Sequence, residues 1–390
     1  MSNPGHVFLT GATGFLGAFL VHELLQQTQA MIYCLVRAAN LSEGAIRIQE
    51  TLEQYGLWDE RQRDRLVPIP GDLAKPLLGL SERQFDYLAT QIDVIYHNGA
   101  LVNFVKPYSL LKAANVLGTQ EILRLACQSK TKIVHHVSSD SVFGTIGHFS
   151  GAKVLKEEDD INCTEKLLFL GYSQSKWVAE KLVQAAQSRG LPATIVRPGL
   201  ILGHSKTGLT NLKDYPSRLI KGCIQIGCYP DLPNKSEYFV PIDYASRAII
   251  HLSRQEQSLG QIFHIVNPRP TQFLEFFSWI GSYGYPLKKV PYRQWKERLI
   301  EHTRSSQENA LYPLVPMIVE KVYKDKTLSE LYQGHPYLDC SNTLSAIAGT
   351  EITCPAIDQQ LRDTYFSYFI RSNFLKAPKG RSIVSIGESK

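Results

Sequence analysis

The chain lacks long hydrophobic runs, cysteine pairs and blocks of like charge, and each absence removes a class of protein. No stretch of its 390 residues approaches the ~20 consecutive apolar positions that a membrane span needs. The opening MSNPGHVFLTG has no charged segment followed by an apolar one, so no secretory leader is expected and the expected location is the cytoplasm. Seven cysteines (Cys34, Cys127, Cys163, Cys223, Cys228, Cys340, Cys354) are scattered and odd in number, with no CxxC or other metal-ligand spacing. That pattern argues against a disulfide framework and a zinc module; buried thiols and no metal are expected. The 42 Lys and Arg outnumber the 36 Asp and Glu, for a net charge of +6, but they are spread over the whole chain, and no nucleic-acid patch results. Internal repeats and low-complexity linkers are missing as well.

What the chain does have is apolar material, 44% of its residues, enough for one large domain plus a smaller one. From residue 6 to about 200, short β-branched runs alternate with longer helical patterns. HVFLT is followed by a helical stretch over 15–28, MIYCLVR by one over 43–56, and then comes LVPIPGD. The alternation continues through DVIYHNGA (93–100), a helix over about 108–128, KIVHHVSS (132–139), a helix over about 172–189 and ATIVRPG (193–199). Continuously apolar strands are expected where helices cover both faces of a sheet. Beyond residue 200 the pattern loosens, with helix candidates near 215–227 and 243–254 and IFHIVN (262–267) as one more strand for the main sheet. Further helices are expected around 272–283, 293–303 and 356–374.

The expected fold class is α/β: a Rossmann-like doubly wound parallel sheet with a smaller, mostly helical C-terminal substrate domain. Residues 1–205, with return segments about 236–270, form the nucleotide-binding part in this reading. Residues 206–235 and 271–375 form the substrate-binding subdomain, and 376–390 a disordered tail.

Gly11, Gly14 and Gly17 stand in LTGATGFLG, directly after the first strand and opening the first helix. A tight turn there needs residues without a Cβ, a pyrophosphate must approach backbone N–H groups, and the helix N-terminus attracts negative charge. Gly11, Thr13, Gly14, Phe15, Leu16 and Gly17 are therefore candidate dinucleotide contacts. The second strand ends in Arg37, where an enzyme using NAD is expected to carry an acid for the ribose 2′-hydroxyl. A guanidinium suits a 2′-phosphate, which makes NADPH the expected cofactor, with Arg47 as a second cation. Asp72 and Leu73 close the third strand, where they can meet the adenine. Asn98, Gly99 and Ala100 close the fourth, where small residues leave room for the nicotinamide ribose.

Tyr172 and Lys176, in GYSQSKW, are four residues apart and share one face of a helix. An ammonium beside a phenol favours phenolate and is expected to pull the tyrosine below its ordinary value near ~10. VSS ends the fifth strand, and Ser139 is the candidate donor to a substrate carbonyl oxygen, with Ser138 and Ser141 as competitors. His135 and His136 are adjacent in a strand, point to opposite faces and are expected to be packing residues.

The GxxGxxG spacing, with YxxxK and VSS, resembles the extended short-chain dehydrogenase/reductase superfamily. DVIYHNGALVNFVKPYSLLKAANVLGTQEILRLA, with LVRA and RPGLILGHSKTG, resembles more narrowly the thioester reductase domains that terminate nonribosomal peptide and polyketide synthetases and carboxylic acid reductases. The likeness covers roughly residues 5–270. It implies hydride transfer from NADPH to an acyl or peptidyl thioester on the phosphopantetheine arm of a carrier domain, giving an aldehyde that some members reduce again. It implies that Ser139 and Tyr172 hold the oxyanion while Lys176 binds the ribose, and that Asn115, in ANVLGT, supports the lysine. No adenylation core and no carrier attachment serine is found, so the acyl substrate is expected to come from elsewhere. Fatty acyl-CoA reductases share these features and are the main alternative. Nucleotide-sugar epimerases and dehydratases tend to carry an acid at the Arg37 position, and non-catalytic NADP-sensing relatives usually lack the tyrosine.

Overall fold

The computed structural model describes residues 4–305 and 308–378. Seven parallel strands form the central sheet: β1 (His6–Thr10), β2 (Met31–Val36), β3 (Leu66–Pro70), β4 (Val94–His97), β5 (Ile133–Val137), β6 (Ala193–Pro198) and β7 (Ile262–Ile265), in spatial order β3, β2, β1, β4, β5, β6, β7. The order reverses between β1 and β4, which is where ligands collect in doubly wound sheets. IFHI returns to the sheet as β7, pairing in parallel with β6 from Ile262 opposite Ile195. LVPIP lies at the edge as β3, bonded to β2 alone, because Pro68 and Pro70 have no N–H to give a second neighbour.

The principal helices are α1 (Phe15–Gln27), α2 (Leu41–Gln54), α3 (Glu82–Gln91), α4 (Tyr108–Lys112), α5 (Gly118–Cys127), α6 (Gly171–Gln187), α7 (Tyr215–Ile226), α8 (Ile242–Ser253), α9 (Phe273–Tyr283), α10 (Tyr292–Ser305) and α11 (Gln359–Arg371). Local chemistry sets their ends. Asn40 accepts from Glu43 N at 2.9 Å to start α2, and Ser81 with Gln84 makes a capping box before α3. Asp214 accepts from Ser217 N at 2.8 Å to start α7, and Gly227, at φ +73°, ends it in the left-handed region. The single helix expected over 108–128 runs unbroken through α4 and α5, with a π turn over residues 113–117 inside it. The turn leaves the Asn115 side chain free to bond backbone outside the helix.

Alternation along the strands builds two apolar layers. Val7, Leu9, Ile32 and Cys34 face α1 and α8, while Phe8, Tyr33 and Ile95 face α3, α5 and α6. A third core, rich in aromatic rings, gathers Phe239, Phe273, Phe276, Phe277, Trp295 and Phe366. Within 271–375, Ile347, Ile352 and Cys354 pack into the sheet's core.

The start of the expected disordered tail is packed. The Tyr285 hydroxyl donates to the Lys376 carbonyl at 2.7 Å and Pro378 is buried; residues 379–390 lie outside the described ones. Cys34, Cys223, Cys228, Cys340 and Cys354 are buried free thiols, but Cys127, the last residue of α5, is exposed.

Candidate active site at the carboxyl ends of the strands

The glycine loop is as tight as its composition requires. Gly11 has φ +78°, and a Cβ there would lie 2.7 Å from Gly99 Cα. A Cβ on Gly17 would lie 1.9 Å from the Gly11 carbonyl oxygen, so the first turn of α1 packs directly on the loop. No side chain caps α1 at Gly14, and the helix presents its N-terminal N–H groups between β1 and β4. Thr13 and Gly14 reach the loop surface, Phe15 and Leu16 begin the helix, and Asn98, Gly99 and Ala100 follow β4 beside Gly11. Leu73 reaches the same place: a Cβ on Gly99 would lie 2.7 Å from its Cδ1. Asp72 accepts from Ala74 N at 2.9 Å.

Beneath this loop runs a chain of hydrogen bonds that fixes a tautomer. Thr119 Oγ1 donates to the Asn115 carbonyl at 2.7 Å, so toward His97 Nε2, 2.8 Å away, it can only accept. His97 therefore carries its proton on Nε2, and Nδ1 accepts from Thr10 Oγ1 at 2.9 Å, which in turn accepts from Gly99 N at 2.8 Å. Burial, with the nearby Lys176 charge, pushes His97 down to about 3, so the ring is neutral and serves as a fixed brace. His135 and His136 are buried on opposite faces, His135 against Tyr96 and His136 against His97, and burial pushes His135 down to about 3.

Arg37 lies exposed just after β2, and Arg47 of α2 donates to its carbonyl oxygen. The Arg47 guanidinium thus sits against the backbone of Arg37. Among the described residues no carboxylate is paired with either.

Ser139, Tyr172 and Lys176 converge at the ends of β5 and α6. The Tyr172 hydroxyl lies beside the Ser139 side chain. Ser138 turns away and donates to the buried Glu180 carboxylate, and Ser141 Oγ is buried with no side-chain or backbone partner among the described residues. The Lys176 ammonium donates to the Val137 carbonyl at 2.6 Å, and burial pushes it down to about 8 despite the opposing charge of Glu180 one turn on. Tyr172 differs from the expectation. Burial and then the Asp140 charge push its phenol well above the ordinary value, and Lys176, held at Val137, does not offset them.

The Asn115 side chain bonds the loop backbone and Ser175 rather than the Lys176 ammonium. Its amide accepts from Leu101 N at 2.6 Å, donates to Leu101 O at 3.1 Å and donates to Ser175 Oγ at 2.9 Å. It ties the loop after β4 to the helix that carries Tyr172 and Lys176.

The other walls were not legible as site residues in the sequence. Phe104 meets Tyr172 edge-on at 5.5 Å and Tyr215 at 6.3 Å. Beyond Tyr215, the Lys235 ammonium sits 2.8 Å from Glu237 Oε1 and 5.1 Å from the centre of the Phe273 ring. Lys235 and Glu237 are two apart on an extended segment, the one local sign that they share a face. Asp140, next to Ser139, joins the same cluster through its charge on Tyr172, Tyr238 and Tyr332.

A parallel sheet with a glycine loop at its switch point, and a serine, tyrosine and lysine beside it, define an extended short-chain dehydrogenase/reductase, a class of nicotinamide-dependent oxidoreductases. The chain belongs to the family described as male sterility protein, whose model matches residues 9–249, and within it to the thioester reductase domains. It is 43% identical to the terminal R domain from the myxalamid PKS-NRPS biosynthetic pathway, with a TM-score of 0.89, covering 97% of this chain and 94% of that one. It is 42% identical over 370 residues to a linear gramicidin synthase polypeptide of Brevibacillus parabrevis, covering 94% of this chain and 7% of that protein. It is 40% identical over 382 residues to the aldehyde reductase lnaA of Aspergillus flavus, covering 94% and 36%. The chain thus spans only a minor part of these curated relatives. A thiolation-reductase di-domain from an archaeal non-ribosomal peptide synthetase shares the fold, with a TM-score of 0.74 at 22% identity, covering 95% of this chain and 76% of that one. Among the described residues no helix is long and apolar enough to cross a membrane, and no cluster of side chains could hold a metal.

Proposed function

We propose that this chain reduces an acyl or peptidyl thioester, carried on the phosphopantetheine arm of a carrier domain, to the aldehyde, with NADPH as the reductant. The observation that carries the proposal is the meeting of Ser139, Tyr172 and Lys176 beside a glycine loop whose helix N-terminus is uncapped. The loop fits a dinucleotide: Cβ atoms would fill the space at Gly11 and Gly17, and the free N–H groups suit a pyrophosphate. Residues 11–17 would hold the pyrophosphate, Asp72 and Leu73 the adenine, and Asn98, Gly99, Ala100 and Lys176 the nicotinamide ribose. Arg37 just after β2, with the Arg47 guanidinium against its backbone, favours a 2′-phosphate, hence NADPH over NADH.

Bound NADPH supplies a hydride to the thioester carbonyl carbon. Ser139 and Tyr172 donate to the carbonyl oxygen and stabilise the charge that grows on it. The raised Tyr172 phenol keeps its proton at neutral pH, so it holds that proton at the reacting oxygen until the oxyanion is basic enough to take it. Collapse of the hemithioacetal breaks the carbon–sulfur bond; the electron pair leaves with sulfur, which gains a proton, and the aldehyde departs. Reduction on to the alcohol would be a second turn of the same chemistry.

The test compares kcat/KM for one acyl group presented on a loaded carrier protein and on coenzyme A, with the product identified by mass spectrometry. Aldehyde formed faster from the carrier supports the proposal. Faster reduction of the coenzyme A ester favours a fatty acyl-CoA reductase, and no reduction of either refutes both.

A further inference from the structure

We propose that Asp140 decides where the Ser139 hydroxyl points, so that Ser139 can donate to the substrate oxygen only while the Asp140 carboxyl carries its proton. The inference rests on the thioester-reductase reading above and makes Asp140 a positioning residue for it.

The argument begins with the single hydrogen of a serine hydroxyl. Ser139 Oγ accepts from Ser141 N at 3.2 Å, where it caps the turn Asp140–Phe143, and lies beside the Tyr172 hydroxyl. Its own hydrogen goes to Asp140 Oδ1, 3.2 Å away. While Asp140 is a carboxylate it is the stronger acceptor, and it places a negative charge beside the point where the oxyanion must form. Protonation removes both obstacles: the carboxyl becomes a weaker acceptor, its charge is gone, and the serine hydrogen can swing to the substrate.

The surroundings hold that proton on. Asp140 is half-buried, and burial first, with the charge of Glu237 adding to it, pushes its carboxyl up to about 7, against the bond from Ser139. The titratable groups around it are Tyr172 on α6, Glu237 and Tyr238 on the segment before α8, and Tyr332. Lys235, the cation of this cluster, is engaged by Glu237 at 2.8 Å and lies 5.9 Å from the centre of the Tyr215 ring.

The test follows kcat/KM for NADPH-dependent reduction of a short-chain acyl pantetheine thioester from about pH 6 to about pH 9. The unmodified protein should lose activity about tenfold per pH unit above a midpoint near neutrality. Asp140→Asn should lose that fall. Glu237→Gln should move the midpoint to lower pH, because it removes a like charge and releases Lys235; Glu237 does not act on Lys176, so a limb belonging to the lysine would stay put. Infrared difference spectra of the cofactor-free protein against Asp140→Asn should show a carboxyl that titrates at the same midpoint. The inference is overturned if Asp140→Asn keeps the fall or is inactive throughout, if Glu237→Gln leaves the midpoint in place or raises it, or if the carboxyl is already ionised at about pH 6. Absence of thioester reduction by the unmodified protein at every pH would instead overturn the reductase reading.

Discussion

Glu180 and Arg197 form a fully buried ion pair, with 0% of either side chain exposed and Nη2 to Oε1 at 2.7 Å, and breaking it should damage stability and site together. The guanidinium also reaches Oε1 through Nε at 3.1 Å, donates to the Glu157 carbonyl at 3.2 Å and lies 4.8 Å from the centre of the Phe143 ring. On the other side Ser138, the neighbour of Ser139, donates to Oε2. The pair therefore locks α6, which carries Tyr172 and Lys176, to β6 and to the end of β5. Removing Arg197 alone leaves the carboxylate hydrogen-bonded only to the Ser138 hydroxyl and the Gln184 amide, with the Lys176 charge near but bonded to Val137, and breaking a buried pair costs about 3 to 5 kcal/mol. Unfolding entropy of about 2 cal/mol/K per residue over 390 residues gives roughly 0.8 kcal/mol/K, so Arg197→Met should lower Tm by about 4 to 6 °C. Denaturant and thermal unfolding measure this directly. Glu180→Gln carries a second consequence, since Glu180 is the charge that supports the Lys176 ammonium: the lysine should titrate below about 8. The double change Glu180→Leu with Arg197→Met, which leaves no lone charge, should recover much of the loss. If Arg197→Met cost less than about 1 kcal/mol, the pair would not be closing the site in this way.

Tyr172→Phe keeps the ring against Phe104 but removes the proton donor, so turnover should fall about 10² to 10⁴-fold with NADPH binding retained, whereas Lys176→Ala should weaken both; titration of cofactor fluorescence alongside turnover separates them. Arg37→Ala should weaken NADPH about ten- to a hundredfold and leave NADH nearly unchanged, which equal affinity of the unmodified protein for the two would contradict. Gly17→Ala places a Cβ 1.9 Å from the Gly11 carbonyl, so it should abolish dinucleotide binding or unfold the loop; unchanged affinity by calorimetry would rule out the tight turn. Thr119→Val deprives His97 Nε2 of its acceptor and should destabilise the fold by about 1 to 3 kcal/mol in denaturant titrations, with a negligible loss counting against the assigned tautomer.

The amino-acid sequence by itself determined the parallel sheet and its cofactor edge. HVFLT, MIYCLV, IVHHV and ATIVRP are short, apolar and separated by helical patterns, and that periodicity is local, so it can be read without a fold. LTGATGFLG and GYSQSKW were legible for the same reason: glycines at fixed spacing make one turn, and residues four apart share one helix face. Tertiary structure decided what depends on partners distant in the chain. The π turn in the helix after β4 frees Asn115 to bond the Leu101 backbone, which no helical periodicity encodes. The Tyr172 phenol is raised rather than lowered because it is buried and then faces the Asp140 charge, while Lys176 is held by Val137, a balance set by packing. Ser138 and Ser139 are adjacent in sequence yet separated in role, because only the folded chain puts Glu180 under one and Tyr172 beside the other. Asp140, Glu237 and Tyr332 come from three segments with no shared pattern. Spacing in sequence specifies which residues an element presents together, and burial against distant segments specifies what charge and proton they carry there.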